Sequence, residues 1–152
     1  ENDIFITIET EGSHFLPTDY PIHLLSISPK FSNSVPVLGV ETPQGAITDQ
    51  KMIDRHNKLR LNYTAMSNMM SYHPDYHIKP VWDGKDEKAL EEILIFIKVM
   101  DIPQDKVWFM PSGDTREGLF QSYPLVFDWV RDNGYRMTWR PHIIAFQDMR
   151  EV

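Results

Sequence analysis

Val107-Trp108-Phe109-Met110 is a run of four large apolar residues, and the segment on its C-terminal side decides the architecture. Pro111-Ser112-Gly113 turns the chain, and Asp114 then stands where a helix needs an N-cap, with Glu117 three residues on in the spacing of a capping box. The next stretch predicts a helix that carries Leu119, Phe120, Tyr123, Val126, Phe127 and Val130 inward, and Asn133-Gly134 is its expected stop. Tyr135 to Thr138 reads as extended again. Strand, helix and strand in succession make a βαβ unit, and its two strands run parallel.

The same alternation extends upstream. Tyr76 to Val81 is a strand candidate, and Asp83-Gly84 turns the chain into a helix from about Asp86 with an apolar stripe of Leu90, Ile93, Leu94, Ile97 and Met100. Ile4 to Ile8 reads as a buried strand closed by Glu9-Thr10-Glu11-Gly12, and His23 to Ser28 as a second strand stopped by Pro29. Prolines and glycines without helical period make Phe31 to Gly45 a loop. From Asp49 onward Met52, Ile53, His56, Leu59, Tyr63, Met66 and Met70 predict one long amphipathic helix. His142 to Phe146 closes the chain as a last extended segment. The expected fold is therefore α/β, a mostly parallel sheet with helices on the outside, in one domain over residues 1–152. It amounts to part of a β/α barrel. Because the chain opens almost directly into a strand, earlier strands of the domain are expected upstream of Glu1.

Composition removes several functions. With 22 acidic residues against 15 basic ones and a net charge of −7, the chain is not built as a nucleic-acid groove. It has no cysteine, which excludes disulfides, thiolate zinc sites, cysteine nucleophiles and thiolate-held iron–sulfur clusters made by this chain unaided. Its longest apolar stretch, Ile93 to Val99, is broken by Lys98 and falls far below the ~20 residues that cross a bilayer. The acidic Glu1-Asn2-Asp3 does not resemble the start of a signal peptide. No nucleophile elbow, phosphate-cradling loop, dinucleotide fingerprint or H-E-x-x-H is present.

In parallel α/β sheets ligands gather at the carboxyl ends of the strands. Five segments occupy that position: Glu9-Thr10-Glu11-Gly12, Ser28-Pro29-Lys30, Lys79-Pro80, Met110-Pro111-Ser112-Gly113 and Arg140-Pro141-His142. Three carry a cation suited to a carboxylate or phosphate, although Lys30 and Lys79 read first as ordinary solvated loop lysines. In Ser28-Pro29-Lys30 the proline fixes the backbone between a hydroxyl and an ammonium, so that both serve one cleft at little ordering cost. Met110 precedes a rigid Pro-Ser-Gly turn that also reads as a plain strand-to-helix connection. His73 and His77 are four apart, but Pro74 breaks the helix that would align them on a metal. His56 lies on the apolar face of its helix and reads as a core or interface histidine. Arg140 and His142 lie on one side of an extended segment, where they can read a carboxylate or form a structural ion pair.

Taken in order, Ile6-Thr7-Ile8-Glu9-Thr10-Glu11-Gly12, Leu25-Ser26-Ile27-Ser28-Pro29-Lys30, Val107 through Gly113 and Arg140 through Phe146 resemble the C-terminal part of 7-carboxy-7-deazaguanine synthases. These are radical S-adenosylmethionine enzymes of the deazapurine (queuosine) pathway. The resemblance implies a partial β/α barrel of the radical S-adenosylmethionine type and a cytoplasmic, homodimeric lyase, with no nucleic-acid or membrane partner. Such an enzyme ring-contracts 6-carboxy-5,6,7,8-tetrahydropterin to 7-carboxy-7-deazaguanine with S-adenosylmethionine, a 4Fe–4S cluster and Mg2+. It further implies that Glu9, Thr10, Ser28, Lys30 and Met110 hold S-adenosylmethionine. Arg140, His142 and the terminal carboxylate of Val152 would face the pterin. The family's three-cysteine cluster loop and the glycine-rich motif that grips the methionine amine belong upstream of Glu1, so the cluster and Mg2+ are expected only with an N-terminal half, on the same or a separate chain. Ser112 stands where the family usually has glutamate, Glu11 where a small polar residue is commoner, and Phe146 where tryptophan is frequent. Two other readings compete: a radical enzyme that activates a glycyl-radical partner, and a non-catalytic dimerisation module using the face of Met66, Met69 and Met70, for which a plain core role is the ordinary alternative.

Overall fold

The computed structural model describes residues 4–20, 22–42, 45–113 and 115–138. Strand β1 (Thr7–Thr10) pairs in parallel with β2 (Leu24–Ile27), which pairs in parallel with β5 (Tyr76–Ile78). A second parallel set joins β6 (Val81–Trp82), β7 (Trp108–Pro111) and β8 (Arg136–Met137). The two sets are one continuous surface. A parallel bridge links Ile78 to Val107, the Lys79 amide donates to the Ile27 carbonyl at 2.7 Å, and the Met110 amide donates to the Pro80 carbonyl at 2.8 Å. The single strand expected over Tyr76 to Val81 is split because Pro80 has no N–H to give the ladder.

With β5 and β6 counted as one split strand, each strand of this sheet is thus laid beside the one before it, in chain order and in the same direction. This is the order in which a β/α barrel is wound, but among the described residues the sheet stays open and β1 and β8 do not meet. One sheet face is apolar. Leu25, Ile27, Ile78, Val107, Phe109 and Met137 are buried in the core there together with Met66 and Met69 of α2 (Tyr63–Tyr72), Ile93, Phe96 and Ile97 of α3 (Glu87–Val99), and Val126 and Val130 of α4 (Arg116–Asn133). The dense end of this core is aromatic: Phe109 lies 5.1 Å from Trp129 and 5.3 Å from Tyr135, ring centre to ring centre, with Trp82 5.5 Å from Trp129.

Helix signals placed most of these elements. Asp86 caps α3 by accepting the Ala89 amide at 3.0 Å, and Gly134 ends α4 with φ +72°, where a side chain would be strained. Four expectations are corrected. The long helix from Asp49 is two helices, α1 (Gln50–Leu59) and α2, because Asn62 accepts the Ala65 amide at 3.1 Å and so starts a new helix. Thr115, not Asp114, caps α4, through its hydroxyl to the Gly118 amide at 3.1 Å; Asp114 lies outside the described residues. Phe120 and Phe127 are exposed, since the buried row of α4 runs through Leu119, Ser122, Val126 and Val130 and a neighbour one residue on is turned about 100° away. The segment read as a loop from Phe31 to Gly45 contains a one-turn 3-10 helix, Ser32–Ser34, and a small antiparallel hairpin of β3 (Glu41–Thr42) with β4 (Gly45–Ala46).

Ordering also differs in β1. Ile4 and Phe5 are well exposed and the ladder starts at Thr7, because β1 is an outer strand and only Ile8 and Thr10 turn partly inward. The core role holds for Met66 and Met69, which are buried, against their use as a contact surface. Among the described residues no helix is long and apolar enough to cross a membrane.

Candidate functional site

The second sheet face is polar, and it follows from the same two-residue period that builds the core. While Ile8, Leu25, Ile27, Ile78 and Phe109 point to the helices, the alternating positions Thr7, Glu9, Ser26, His77, Lys79 and Trp108 line a hollow of about 350 Å³ on the opposite face, with Leu24 and Thr138. Strand register sets them side by side. Glu9 is opposite Ser26, and Ser26 is opposite His77.

Two contacts tie the row together. The Ser26 hydroxyl and His77 Nε2 are 2.7 Å apart, and Lys79 Nζ donates to Glu9 Oε1 at 3.2 Å. Lys79 is the sheltered partner of that ion pair, with 17 % of its side chain exposed against 59 % for Glu9. Burial, then the Lys79 ammonium, holds His77 below the ordinary imidazole range against the opposing pull of Glu9, with Lys106 adding a smaller push in the same direction as Lys79. A neutral imidazole beside a hydroxyl both donates and accepts hydrogen bonds. Trp108 forms the floor on the β7 side: its ring lies 6.2 Å from the His77 ring and 5.2 Å under the Arg136 guanidinium. The hollow therefore offers an aromatic plane, a sheltered ammonium, an exposed carboxylate, a hydroxyl and an imidazole within one wall.

Of the residues expected to hold a nucleoside cofactor, Glu9 lines this hollow directly. Thr10 belongs to the other set of alternating positions and uses its hydroxyl to accept the Gly12 amide at 3.1 Å, shaping the turn after β1. Ser28 and Lys30 follow Ser26 beyond the end of β2, where the Ser28 amide donates to the Thr10 carbonyl at 2.8 Å. Met110 sits two residues beyond Trp108 on β7 and is buried. Arg140, His142 and Val152 lie outside the described residues. His73 and His77 do not meet: His73 closes α2 with its ring 4.8 Å from Tyr72, and His77 faces the hollow. His56 is half-buried with Nε2 3.3 Å from the Ser34 hydroxyl.

Ser26, His77 and Trp108 carry no mark of a site in their own neighbourhoods, and Lys79 reads there as a loop lysine. Their signal is a polar residue at every second position within strands otherwise made of apolar ones, Ser26 between Leu25 and Ile27 and His77 between Tyr76 and Ile78. Reading only the residues after each strand passes over it.

Fold and face together define an α/β domain of chain-ordered parallel strands, with helices on one side and a polar hollow on the other. Two curated proteins match it at 28 % identity, both named 7-carboxy-7-deazaguanine synthase. One, from Halobacterium salinarum, aligns over 149 residues, 96 % of this chain and 56 % of its own length. The other, from Rhodopirellula baltica, aligns over 145 residues, 95 % of this chain and 52 % of its own. The chain thus spans about half the length of the curated relatives it matches. No family model matches the chain, and no solved structure matches it significantly.

Proposed function

We propose that this chain is the C-terminal part of a radical S-adenosylmethionine lyase that acts as a 7-carboxy-7-deazaguanine synthase, and that its open sheet is one portion of a partial β/α barrel. The observation that carries the reading is that the likeness to both synthases runs along nearly the whole of a chain whose strands are laid in barrel order with a polar face left uncovered.

The donor set can be tested against the groups such an enzyme needs. S-adenosylmethionine is a zwitterion joined to a ribose and a flat base, and a wall of ammonium, carboxylate, hydroxyl, imidazole and indole suits it chemically. A 4Fe–4S cluster does not fit this chain, which has no cysteine, and among the described residues no group of three histidine, aspartate or glutamate side chains could hold a metal ion. The cluster would then be held by residues outside this chain, and Mg2+ by residues outside the described ones. When bound, the cofactor supplies the radical chemistry. The residues here supply position and charge. Ser28 and Lys30 would hold its polar end or ribose, Glu9 and Thr10 would border the same cleft, and the Met110 backbone would border the adenine. Lys79 would balance negative charge beside Glu9, and the Ser26–His77 pair would keep a hydrogen-bonding edge facing the ligand. Arg140, His142 and the carboxylate of Val152 would face the pterin.

The test is to express the complete gene product, reconstitute it anaerobically with iron and sulfide, and supply S-adenosylmethionine, a reductant, Mg2+ and 6-carboxy-5,6,7,8-tetrahydropterin. Formation of 7-carboxy-7-deazaguanine, identified by mass, is expected. Cleavage of S-adenosylmethionine without that product would remove the substrate assignment while leaving the radical class, and no cleavage would remove both.

A further inference from the structure

We propose that Arg60 and Glu92 are positioning residues: their ion pair clamps the loop that leaves β2 and so sets where Ser28 and Lys30 stand at the carboxyl end of that strand. The inference rests on the reading of Ser28-Pro29-Lys30 as a cofactor-holding segment. Its grounds are in a different part of the molecule from the hollow.

Loops that leave strand ends are usually the mobile part of an α/β domain. This one is fastened to three separate elements within five residues. Glu92, from the middle of α3, accepts the Ser32 amide on Oε2 at 2.6 Å and the Arg60 guanidinium on Oε1 at 2.7 Å. The same Arg60 nitrogen donates to the Lys30 carbonyl at 3.2 Å, while Arg60 Nε donates to Asn57 Oδ1 at 3.2 Å and so aligns the guanidinium from the α1 side. Asn33 donates to the Val81 carbonyl at 2.8 Å, fastening the loop to β6. Between these ties Phe31 is buried edge-on against Phe96, with 5.6 Å between ring centres.

The ion pair is sheltered, with 17 % of the Arg60 side chain and 24 % of the Glu92 side chain exposed. Removing two charges from water costs about what their attraction returns, so such a pair is a poor source of stability. It is a good source of geometry. One guanidinium that must satisfy a carboxylate and a specific backbone carbonyl together admits few arrangements, and a carboxylate that also accepts a particular amide fixes the register of the loop. Preorganising a binding segment in this way raises affinity by removing the ordering cost at the moment of binding.

The test is calorimetric titration of the complete gene product with S-adenosylhomocysteine, a probe that needs no cluster chemistry, alongside hydrogen exchange at the Ser32 amide. Glu92→Gln and Arg60→Lys are each expected to weaken binding by about tenfold or more and to expose the Ser32 amide to exchange. Asp128→Asn, which removes an exposed ion pair with Arg131 on α4, should change neither. If the clamp variants lower the melting temperature and leave the affinity unchanged, the pair is merely structural and the inference is overturned. If the wild-type protein does not bind the probe, the reading of Ser28 and Lys30 fails first and the inference with it. Should Glu92→Gln not fold, Arg60→Lys decides, because it keeps the charge and removes only the fork.

Discussion

Gly12 offers a measurement in which the structure supplies both the perturbation and its control. It closes the turn after β1, three residues past Glu9, with φ +83°, and Gly39 has nearly the same φ, +80°. An added methyl therefore meets positive-φ strain at both sites, about 1–2 kcal/mol, and gains a similar small reduction of unfolded-state entropy. The surroundings differ. At Gly39 nothing lies within 4 Å of the new carbon, whereas at Gly12 it would fall 2.6 Å from Met66 Cγ, 2.9 Å from Met66 Sδ and 3.1 Å from Ile27 Cγ2. Met66 and Ile27 are fully buried, so neither has room to retreat. Overpacking of this kind costs about 1–3 kcal/mol, and Gly12→Ala should lose about 2–5 kcal/mol in all. At roughly 2–4 °C per kcal/mol for a chain of this size, its melting temperature should fall by roughly 10 °C, and that of Gly39→Ala by only a few degrees. Urea titrations of both variants give the free energies directly. Equal losses at the two glycines would refute the packing of Met66 under the β1 turn, and with it the placement of α2 against the strand that carries Glu9.

Glu92 is pushed up by burial, but the hydrogen bonds from Arg60 and the Ser32 amide outweigh this and hold it below the usual carboxylate range. A carboxylate depressed in the folded state contributes stability above its unfolded pKa and loses it as pH falls through the folded one, so Glu92→Gln should flatten the decline in melting temperature on the acid side of about pH 4.5; an unchanged acid limb would contradict the pairing. His77 is depressed as well, so its contribution is complete above an unfolded value near 6.5 and is lost as pH falls below it. An NMR titration should place its midpoint below that of a free histidine, and Lys79→Met should move the midpoint upward; a downward move would contradict the ammonium beside it. Phe109→Ala removes the ring shared by Trp82, Trp129 and Tyr135 and should cost about 3–5 kcal/mol by chemical denaturation.

The β/α alternation was legible because it rests on local signals of large amplitude. The capped, amphipathic α3, the glycine stop at Gly134 and the apolar run of β7 each speak for one element without help from the rest. Errors fell where two local preferences compete within a few residues. Asn62 lies in an unbroken apolar period that favours one helix, yet its side chain gains a backbone amide only by starting another, and the bond to Ala65 wins. Asp114 and Thr115 are both good caps one residue apart in sequence, and Thr115, with extended backbone and its hydroxyl on the Gly118 amide, is the one that caps α4. In α4 the large apolar residues around Phe120 and Phe127 exceed what one face can bury, and size alone does not say which are left outside.

The site was legible in a narrower sense, for a reason specific to parallel sheets. A strand buried on both faces reads as a continuous apolar run, so the usual search looks past the strand to the residues beyond its end. That search reaches Glu9 and Lys79, which line the hollow, and it also points to the Ser28-Pro29-Lys30 segment beyond the end of β2, which does not. It passes over His77 and Trp108, because placing both on one wall requires the register of four strands, β1, β2, β5 and β7, drawn from Thr7 to Pro111. Ser26 and His77 are 51 residues apart in the chain and 2.7 Å apart in space, and nothing in either neighbourhood names the other. The sequence does contain the alternation itself. Thr7 and Glu9 of β1, Ser26 of β2 and His77 of β5 all face away from the helices, and such polar side chains are expensive in a sheet covered on both sides, so a sheet that keeps them leaves that face to partners that can hydrogen-bond to it. Chain order of the strands then makes that face a single wall instead of scattered patches, and the wall is where a polar ligand has to be sought.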